Sequence, residues 1–117
     1  MRVLLVDDDP EMLLITSFSL EKVGGATVAC VSTPAEAITL AGREPFDVVL
    51  LDYLMPGATA ADVMPAIIAI APTLPIIILT AKTDIDLIRA LVACGARGVL
   101  RKPFDPQTLF AEIKRLL

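Results

Sequence analysis

The sequence predicts a single α/β domain in which helices cover both faces of a five-stranded parallel sheet. A length of 117 residues suits one domain with one core, and an apolar fraction of 56% excludes a disordered chain. Five short apolar runs alternate with helical patterns, and three of the runs lack the polar alternation of half-exposed strands. This order favours right-handed crossovers and a doubly wound sheet.

The element boundaries follow from these runs and from the turn residues between them. The predicted strands are Arg2–Val6, Thr27–Val31, Val48–Leu51, Ile76–Leu79 and Gly98–Leu100. The predicted helices lie near Glu11–Val23, Pro34–Ala41, Ala61–Ala71, Ile85–Cys94 and Pro106–Leu117.

Helix starts and stops carry their own signals. Thr33 and Glu36 flank Pro34 in the pattern of a capping box with proline at the first helical position. Asp105-Pro106 repeats the arrangement before the last helix, and Asp9 is predicted to cap the first helix before Pro10. Glycines are expected to end helices, at Gly24-Gly25, Gly42 and Gly95.

The uncharged segment from Val63 to Ala81 is long enough to raise the question of a membrane span. It contains Pro65, Pro72 and Pro75, and its pattern changes to the β-branched run Ile76–Ile78. Prolines at positions 72 and 75 suit the end of a helix and the start of a strand. We therefore predict a helix, a loop and a strand, and no membrane association.

Charge and cysteine content restrict the function further. A net charge of −4 without a basic cluster argues against direct nucleic-acid binding. Cys30 and Cys94 match no metal-binding spacing and lie among apolar neighbours, which predicts buried, reduced thiols. Because the first residues already belong to the first strand, no signal peptide is predicted, and we expect a cytoplasmic protein.

Polar residues follow the predicted strands at their carboxyl ends, where open parallel sheets bind ligands. They occupy the ends of the first, third, fourth and fifth strands: Asp7, Asp8, Asp52, Thr80 and Lys102. Each residue alone is weak evidence, and an ordinary loop role is the alternative for Asp7 and Asp8. Together they predict one site at this edge of the sheet.

The residue types at this edge suit metal-assisted phosphoryl transfer. Clustered carboxylates need a positive partner, and magnesium accepts a site of two carboxylates, a carbonyl and waters. Asp8 and Asp52 are the candidate ligands, and Asp7 is expected to hold a metal-bound water or to tune the site. Asp52 at a strand tip suits nucleophilic attack on phosphorus. The cation could take one phosphoryl oxygen and Lys102 another, and Thr80 with the Ala81 backbone N–H could take the third.

Two of these residues have simpler interpretations. Thr80 could be a strand-end hydroxyl that serves only the local backbone, and Lys102 could be an exposed surface charge. Pro103-Phe104 directly follows Lys102 and would hold the lysine stem in a rigid turn, which favours the functional interpretation.

Taken jointly, these motifs resemble the receiver domain of two-component response regulators over essentially the whole chain. The matching segments are Leu5–Asp9, Val49–Gly57, Ile78–Ala81, Cys94–Gly98 and Lys102–Phe104. The resemblance implies a flavodoxin-like, CheY-like sheet with strand order 2-1-3-4-5. It also implies that residues 1–117 form one receiver domain, with no output domain among them.

The resemblance further implies the chemistry and its partners. Asp52 would accept a phosphoryl group from a histidine of a sensor kinase or phosphotransfer protein, so the domain would catalyse only its own phosphorylation and dephosphorylation. Asp8, Asp52 and the Leu54 carbonyl would hold magnesium, with Asp7 in the outer shell, and Thr80 and Lys102 would bind the phosphoryl group. Family members also have a cis peptide before the proline that corresponds to Pro103.

In the family, phosphorylation draws the residue equivalent to Thr80 toward the phosphoryl group and repacks the face formed by the fourth helix, fifth strand and fifth helix. That face would bind a downstream protein target or an attached output domain. Family members usually carry an aromatic residue where this chain has Val99. Thr59 and Ala60 also replace a common acidic or Asn residue and glycine, so the third helix is expected to begin differently.

Leu54 and Lys82 flank the expected phosphoryl site, two residues after Asp52 and Thr80. Because an apolar Leu54 cannot orient an attacking water, we hypothesise a long-lived phosphorylated state. The third helix is unusually apolar, and an outward stripe of Met64 and Ile68 would favour a homodimer, with scattered surface residues as the equal alternative.

Two other functions use related sheets or chemistry. A magnesium-dependent aspartyl-phosphate phosphatase would normally place its nucleophile after the first strand, with a second acid where this chain has Leu54. A flavin-binding electron carrier would need a hydroxyl- and glycine-rich loop after the first strand. The sequence does not specify the kinase, the target, or whether a longer protein contains this domain.

Overall fold

The computed structural model describes residues 1–82 and 84–117. The strands are β1 Arg2–Val6, β2 Thr27–Val31, β3 Val48–Asp52, β4 Leu54–Met55, β5 Ala58–Thr59, β6 Ile76–Thr80 and β7 Gly98–Arg101. The helices are α1 Pro10–Gly24, α2 Pro34–Arg43, α3 Ala60–Ile70, α4 Ile85–Ala93 and α5 Leu109–Leu116.

The main sheet is parallel, with strand order β2-β1-β3-β6-β7. The strands β4 and β5 form a separate antiparallel hairpin. Counting only the main-sheet strands gives the order 2-1-3-4-5, so the predicted fold class and topology are confirmed.

Both faces of the sheet are covered, because alternate residues of the central strands point to two different apolar clusters. One cluster joins residues such as Leu4 and Leu51 to α2, α3 and α4. The other joins Leu5 and Leu50 to α1 and α5. The strands β6 and β3 are buried along their apolar residues, which confirms the interpretation of runs without polar alternation.

Helix capping follows the sequence signals at the first two helices. The Asp9 carboxylate accepts a hydrogen bond from the Glu11 N–H at 3.0 Å. The Thr33 hydroxyl accepts one from the Glu36 N–H at 3.2 Å and donates to the Glu36 carboxylate at 3.0 Å. Gly25 ends α1 with a φ of 66°, a conformation that glycine adopts without a Cβ clash.

Two predicted helix boundaries are wrong. Helix α5 begins at Leu109 rather than Pro106, because residues 106–108 form a turn in which the Asp105 carbonyl accepts from the Thr108 N–H at 3.1 Å. Gly42 lies inside α2 rather than at its end. A Cβ at Gly42 would lie 2.4 Å from Cδ1 of Ile70, so this glycine allows α2 and α3 to approach each other closely.

The predicted burial of the two cysteines is also wrong, since both are exposed. Cys30 lies on β2, the edge strand of the sheet, where most side chains are only partly covered. Cys94 follows the last residue of α4. Apolar neighbours in the sequence do not bury a residue at an edge or at a helix end.

The outward stripe predicted for α3 is contradicted. Met64 is fully buried and Ile68 is half-buried, because α3 packs against α2 as well as against the sheet. Thr59 precedes this helix, and its N–H donates to the Asp62 carboxylate at 2.8 Å. The basis for a homodimer through Met64 and Ile68 is therefore removed.

The segment 63–81 forms the rest of α3, a loop and β6, as predicted. In the part of the chain that is described, no helix combines the length and the apolar character needed to cross a membrane.

Replacing the buried Met64 by alanine should lower the free energy of unfolding by about 2–5 kcal/mol, because it removes core contacts and leaves a cavity. Urea denaturation measures the change. Val92→Ala is the matched control, because Val92 is a helical side chain that is 49% exposed, and it should change stability by less than about 1 kcal/mol. Equal losses in the two variants would contradict the placement of Met64 in the core.

Candidate functional site

The carboxyl ends of four parallel strands meet at one edge of the sheet and carry the predicted site residues there. The register places Val6 beside Leu51, Asp52 beside Leu79, and Thr80 beside Arg101. The polar residues at or just after these strand ends are Asp7, Asp8, Asp52, Thr80 and Lys102.

Lys102 joins two of the carboxylates. Its Nζ donates to Oδ1 of Asp52 at 2.9 Å and to Oδ2 of Asp7 at 3.2 Å. The side chains of Lys102, Asp52 and Asp7 are 18%, 13% and 4% exposed, so the ion pairs are largely shielded from water. The interpretation of Lys102 as an exposed surface charge is therefore wrong.

Three carboxylates lie within reach of one cation. Asp7, Asp8 and Asp52 each offer an oxygen atom, and these atoms lie within 4.8 Å of one another. Asp7 is buried, Asp52 is half-buried and Asp8 is exposed. Oxygen-only donors at this spacing fit a hard divalent cation such as magnesium.

The local charges alter the ionisation of Asp52 and Lys102. Burial raises the pKa of Asp52, and the charges of Asp7 and Asp8 raise it further, while the hydrogen bond and charge of Lys102 act in the opposite direction. Burial by itself would lower the pKa of Lys102, but contacts with Asp52 and Asp7 outweigh it and the pKa is raised. Three carboxylates against one ammonium leave an excess of negative charge that a cation would neutralise.

Thr80 is buried at the end of β6, and its hydroxyl oxygen accepts a hydrogen bond from the Lys82 N–H at 3.0 Å. In the described part of the chain, no hydrogen bond joins Thr80 to Asp52. Among the described residues, the Thr80 hydroxyl thus bonds only to the local backbone in this conformation, as the simpler of its two interpretations predicted. Ala81 follows directly and is exposed at the site edge.

The β4–β5 hairpin after Asp52 was not predicted from the sequence. Pro56-Gly57 is its turn signal, and Gly57 has a φ of 78°. The hairpin leaves Leu54 56% exposed beside the site. The Tyr53 N–H donates to the Leu79 carbonyl at 2.9 Å, which extends the pairing of β3 and β6 beyond Asp52.

A cavity of about 530 Å³ opens beside Ala81. Tyr53 and Leu87 contribute to its wall, and the sequence analysis missed both residues. Their positions in the sequence could have indicated this role. Tyr53 directly follows Asp52, and Leu87 lies in the first turn of α4, the helix that follows Thr80. Tyr53 is the only tyrosine of the chain.

Pro103 and Val99 were expected to support the site. The peptide bond between Lys102 and Pro103 is cis. Val99 lies on β7 beside Ile78 and packs, half-buried, against the core cluster of α2, α3 and α4. An aliphatic side chain therefore occupies the position where an aromatic ring is usual in the resembling family.

The parallel sheet, the carboxylates at its edge and the lysine that joins two of them are the features of a CheY-like receiver domain. The family model described as "Response regulator receiver domain" matches residues 3–114. The chain belongs to this family, and it is a domain of a signalling protein.

Two response regulators are similar to the chain over nearly its whole length. It is 36% identical to the DNA-binding response regulator MtrA of Mycolicibacterium smegmatis, covering 99% of this chain and 50% of MtrA. It is 38% identical to the nitrate/nitrite response regulator protein NarP of Escherichia coli, covering 97% of this chain and 53% of NarP. The chain thus spans about half the length of these curated relatives.

A solved structure of the chemotaxis protein CheY4 of Vibrio cholerae superposes with a TM-score of 0.91 at 32% identity, covering 99% of this chain and 98% of that chain. These comparisons support neither the phosphatase nor the flavin-carrier alternative.

Replacing Lys102 by methionine should lower the free energy of unfolding at neutral pH by about 2 kcal/mol, because two shielded carboxylates lose their cationic partner. Without the lysine the pKa of Asp52, which burial already raises, would rise further above its unfolded value. The folded protein would then bind more protons than the unfolded chain, so the loss should shrink as the pH falls through the folded-state pKa of Asp52.

Thermal unfolding between neutral and acidic pH tests this expectation. Lys114→Met is the control. In the described part of the chain Lys114 forms no ion pair, and its Nζ lies 5.7 Å from the centre of the Phe110 ring. A Lys102→Met deficit that stays constant or grows toward acidic pH would contradict the electrostatic role of Lys102.

Proposed function

We propose that this receiver domain accepts a phosphoryl group on Asp52 from a phosphohistidine of a sensor kinase or a phosphotransfer protein. The observation that carries the proposal is the Asp52 carboxylate at a strand tip, fixed by Lys102 and flanked by Asp7 and Asp8. Membership of the response regulator family supports the histidine-kinase partner.

The transfer joins an oxygen of Asp52 to phosphorus and breaks the bond between phosphorus and the donor imidazole nitrogen, which takes the electron pair. Lys102 contacts Asp52 already and would pair with a phosphoryl oxygen. Thr80 and the Ala81 N–H would bind another oxygen. The Thr80 hydroxyl accepts a hydrogen bond from the Lys82 N–H through its oxygen. Its own proton is not used in that bond and can be donated to the phosphoryl group.

The donor set fits a resident magnesium ion. Asp8, Asp52 and the Leu54 carbonyl would hold it directly, and Asp7 would hold one of its waters. When bound, the ion supplies positive charge that neutralises the transferring group. In this chain Asp7 is also fixed by its Oδ1, which accepts from the Asp9 N–H at 3.0 Å, and by Lys102.

Phosphorylation would switch partner binding through the face made by α4, β7 and α5. Thr80 would leave its hydrogen bond with the Lys82 N–H and move toward the phosphoryl group. The phosphoryl group would thus stabilise only the conformation in which Thr80 contacts it. Val99 is already packed against the core, so this switch would proceed without the swing of an aromatic ring.

In this role the domain is no independent enzyme, and it acts only on its own phosphorylation state. Its downstream partner would be a protein target or an attached output domain. MtrA is described as a DNA-binding response regulator, while residues 1–117 here form the receiver alone. We place the domain in the cytoplasm, and assign it no direct contact with nucleic acid or membrane.

Incubation with a small phosphodonor and magnesium should add one phosphoryl mass to the wild-type chain, and Asp52→Asn should remain unlabelled. Removing magnesium with a chelator should slow labelling at least roughly tenfold. Intact mass spectrometry measures both effects. Asp9→Asn is the matched control, because Asn also caps helices and the position is no expected ligand, so it should label normally. Labelling of Asp52→Asn would refute the acceptor assignment.

The phosphorylated form should persist for minutes or longer, because the exposed apolar side chain of Leu54 offers no group that orients an attacking water. Replacing Leu54 by asparagine should shorten the lifetime on the order of tenfold, since its amide can hydrogen-bond that water. Loss of phosphoryl mass after donor removal gives both rates, and Leu54→Met is the apolar control. A wild-type lifetime of seconds would contradict the expectation.

A further inference from the structure

Tyr53 directly follows Asp52, the proposed phosphoryl acceptor, and its backbone is held on both sides. The Tyr53 N–H donates to the Leu79 carbonyl at 2.9 Å, and the Tyr53 carbonyl accepts from the Ala60 N–H at 2.8 Å. Its side chain is half-buried and packs against the apolar cluster of α2, α3 and α4. The strand β6 and the start of α3 therefore fix Tyr53 in place.

The cavity beside Ala81 lies between Tyr53 and the segment that leads into α4. Besides Tyr53 and Ala81, it is lined by Lys82, Asp84 and Leu87. Its volume of about 530 Å³ is far larger than the space of about 30 Å³ that one water molecule takes up. The apolar surfaces of Tyr53 and Leu87 that line the cavity are therefore in contact with water.

Helix α4 is held less firmly than Tyr53. All of α4 is described, and among its residues only Leu91 is buried. Leu87 packs against the apolar cluster while half-exposed, and the helix start is capped locally by Asp84, which accepts from the Asp86 N–H at 2.9 Å. Because few of its side chains are buried, α4 can shift at a lower cost in free energy than the core around Tyr53.

The segment between Thr80 and α4 connects the cavity to the phosphoryl site. The Lys82 N–H donates to the Thr80 hydroxyl at 3.0 Å, and the Ala81 N–H is the proposed donor to a phosphoryl oxygen. Ala81 and Lys82 are also part of the cavity wall. When Thr80 leaves Lys82 and the Ala81 N–H binds the phosphoryl oxygen, this wall has to move, and the start of α4 moves with it.

We propose that Tyr53 is the surface onto which α4 closes when Asp52 is phosphorylated. Movement of the cavity wall allows Leu87 to approach Tyr53, and the cavity between them closes. Apolar surface of both residues then leaves water in the phosphorylated arrangement alone, so their contact stabilises that arrangement. Tyr53 is a positioning residue that transmits phosphorylation from the end of β3 to α4.

This inference rests on the proposed phosphorylation of Asp52, and it gives the switch a contact that β7 does not supply. Val99 of β7 is aliphatic and already packs against the core. In the proposed closure the Tyr53 ring stays where it is and α4 moves toward it, so no aromatic ring has to change position.

Tyrosine emission tests the closure, because Tyr53 is the only tyrosine and the chain contains no tryptophan. Quenching by acrylamide, a neutral molecule, measures how exposed the ring is. A small phosphodonor with magnesium should lower the quenching constant at least about twofold, and Asp52→Asn should show no change. Leu87→Ala should remove most of this fall. Val92→Ala should keep it, since Val92 is an exposed residue of the same helix outside the cavity.

Amide hydrogen exchange tests whether the contact transmits the signal. Phosphorylation should slow exchange across α4 at least about threefold in the wild-type chain, and Tyr53→Ala should lose this effect. Phe46→Ala is the matched control and should keep the effect. Phe46 is also a half-buried ring on the same apolar cluster, but it precedes β3 at the opposite end of the sheet. Thermal unfolding shows whether each variant is folded, and Leu87→Ala decides the question if Tyr53→Ala is not.

Intact mass separates failure of this inference from failure of the proposed function. A wild-type chain that gains no phosphoryl mass would refute both. A chain that gains the mass while its tyrosine quenching stays unchanged would refute the closure alone. At equal phosphoryl occupancy, slowed exchange of α4 that persists in Tyr53→Ala, or that Phe46→Ala abolishes equally, would refute the role of Tyr53.

Discussion

The contacts of Lys102 with Asp52 and Asp7 are the interaction on which the site depends. They bring together residues 50 and 95 positions apart in the sequence, in surroundings where each charge is largely shielded from water. One ammonium cannot neutralise three carboxylates, so the site keeps an excess of negative charge. Burial raises the pKa of Asp52, and the charges of Asp7 and Asp8 raise it further. A cation is opposite in charge to the carboxylates, and an anionic phosphoryl group is opposite in charge to Lys102. One small cluster can therefore bind both.

The parallel sheet makes this convergence possible. Because β1, β3, β6 and β7 run in the same direction, their carboxyl ends deliver side chains to a single edge. The central strands are apolar and buried on both faces, so a one-residue shift in register would move their side chains from one apolar cluster to the other and displace the carboxylates together. The requirements of the core therefore fix the geometry of the site.

Much of the fold and site could be predicted because the signals are local. Uninterrupted apolar runs gave the central strands, and capping residues such as Asp9 and Thr33 gave two helix starts. The errors arose where contacts between distant segments decide the outcome. Packing of α3 against α2 buries Met64, the edge position of β2 exposes Cys30, and Gly42 lies within α2, where it leaves room for Ile70. None of these neighbours can be read from the nearby sequence.

The sequence by itself determined the order of the helices and the five main-sheet strands, the family and the set of residues at the strand ends, because apolar periodicity and strand termini are properties of short segments. Only the tertiary structure decided that Lys102 contacts Asp7 as well as Asp52, that the Thr80 hydroxyl is held by the Lys82 N–H, and that Leu14 and Phe18 of α1 are exposed while Met64 of α3 is buried. The physical reason is that a side chain's partners and exposure depend on what packs against it, and those neighbours come from remote parts of the chain.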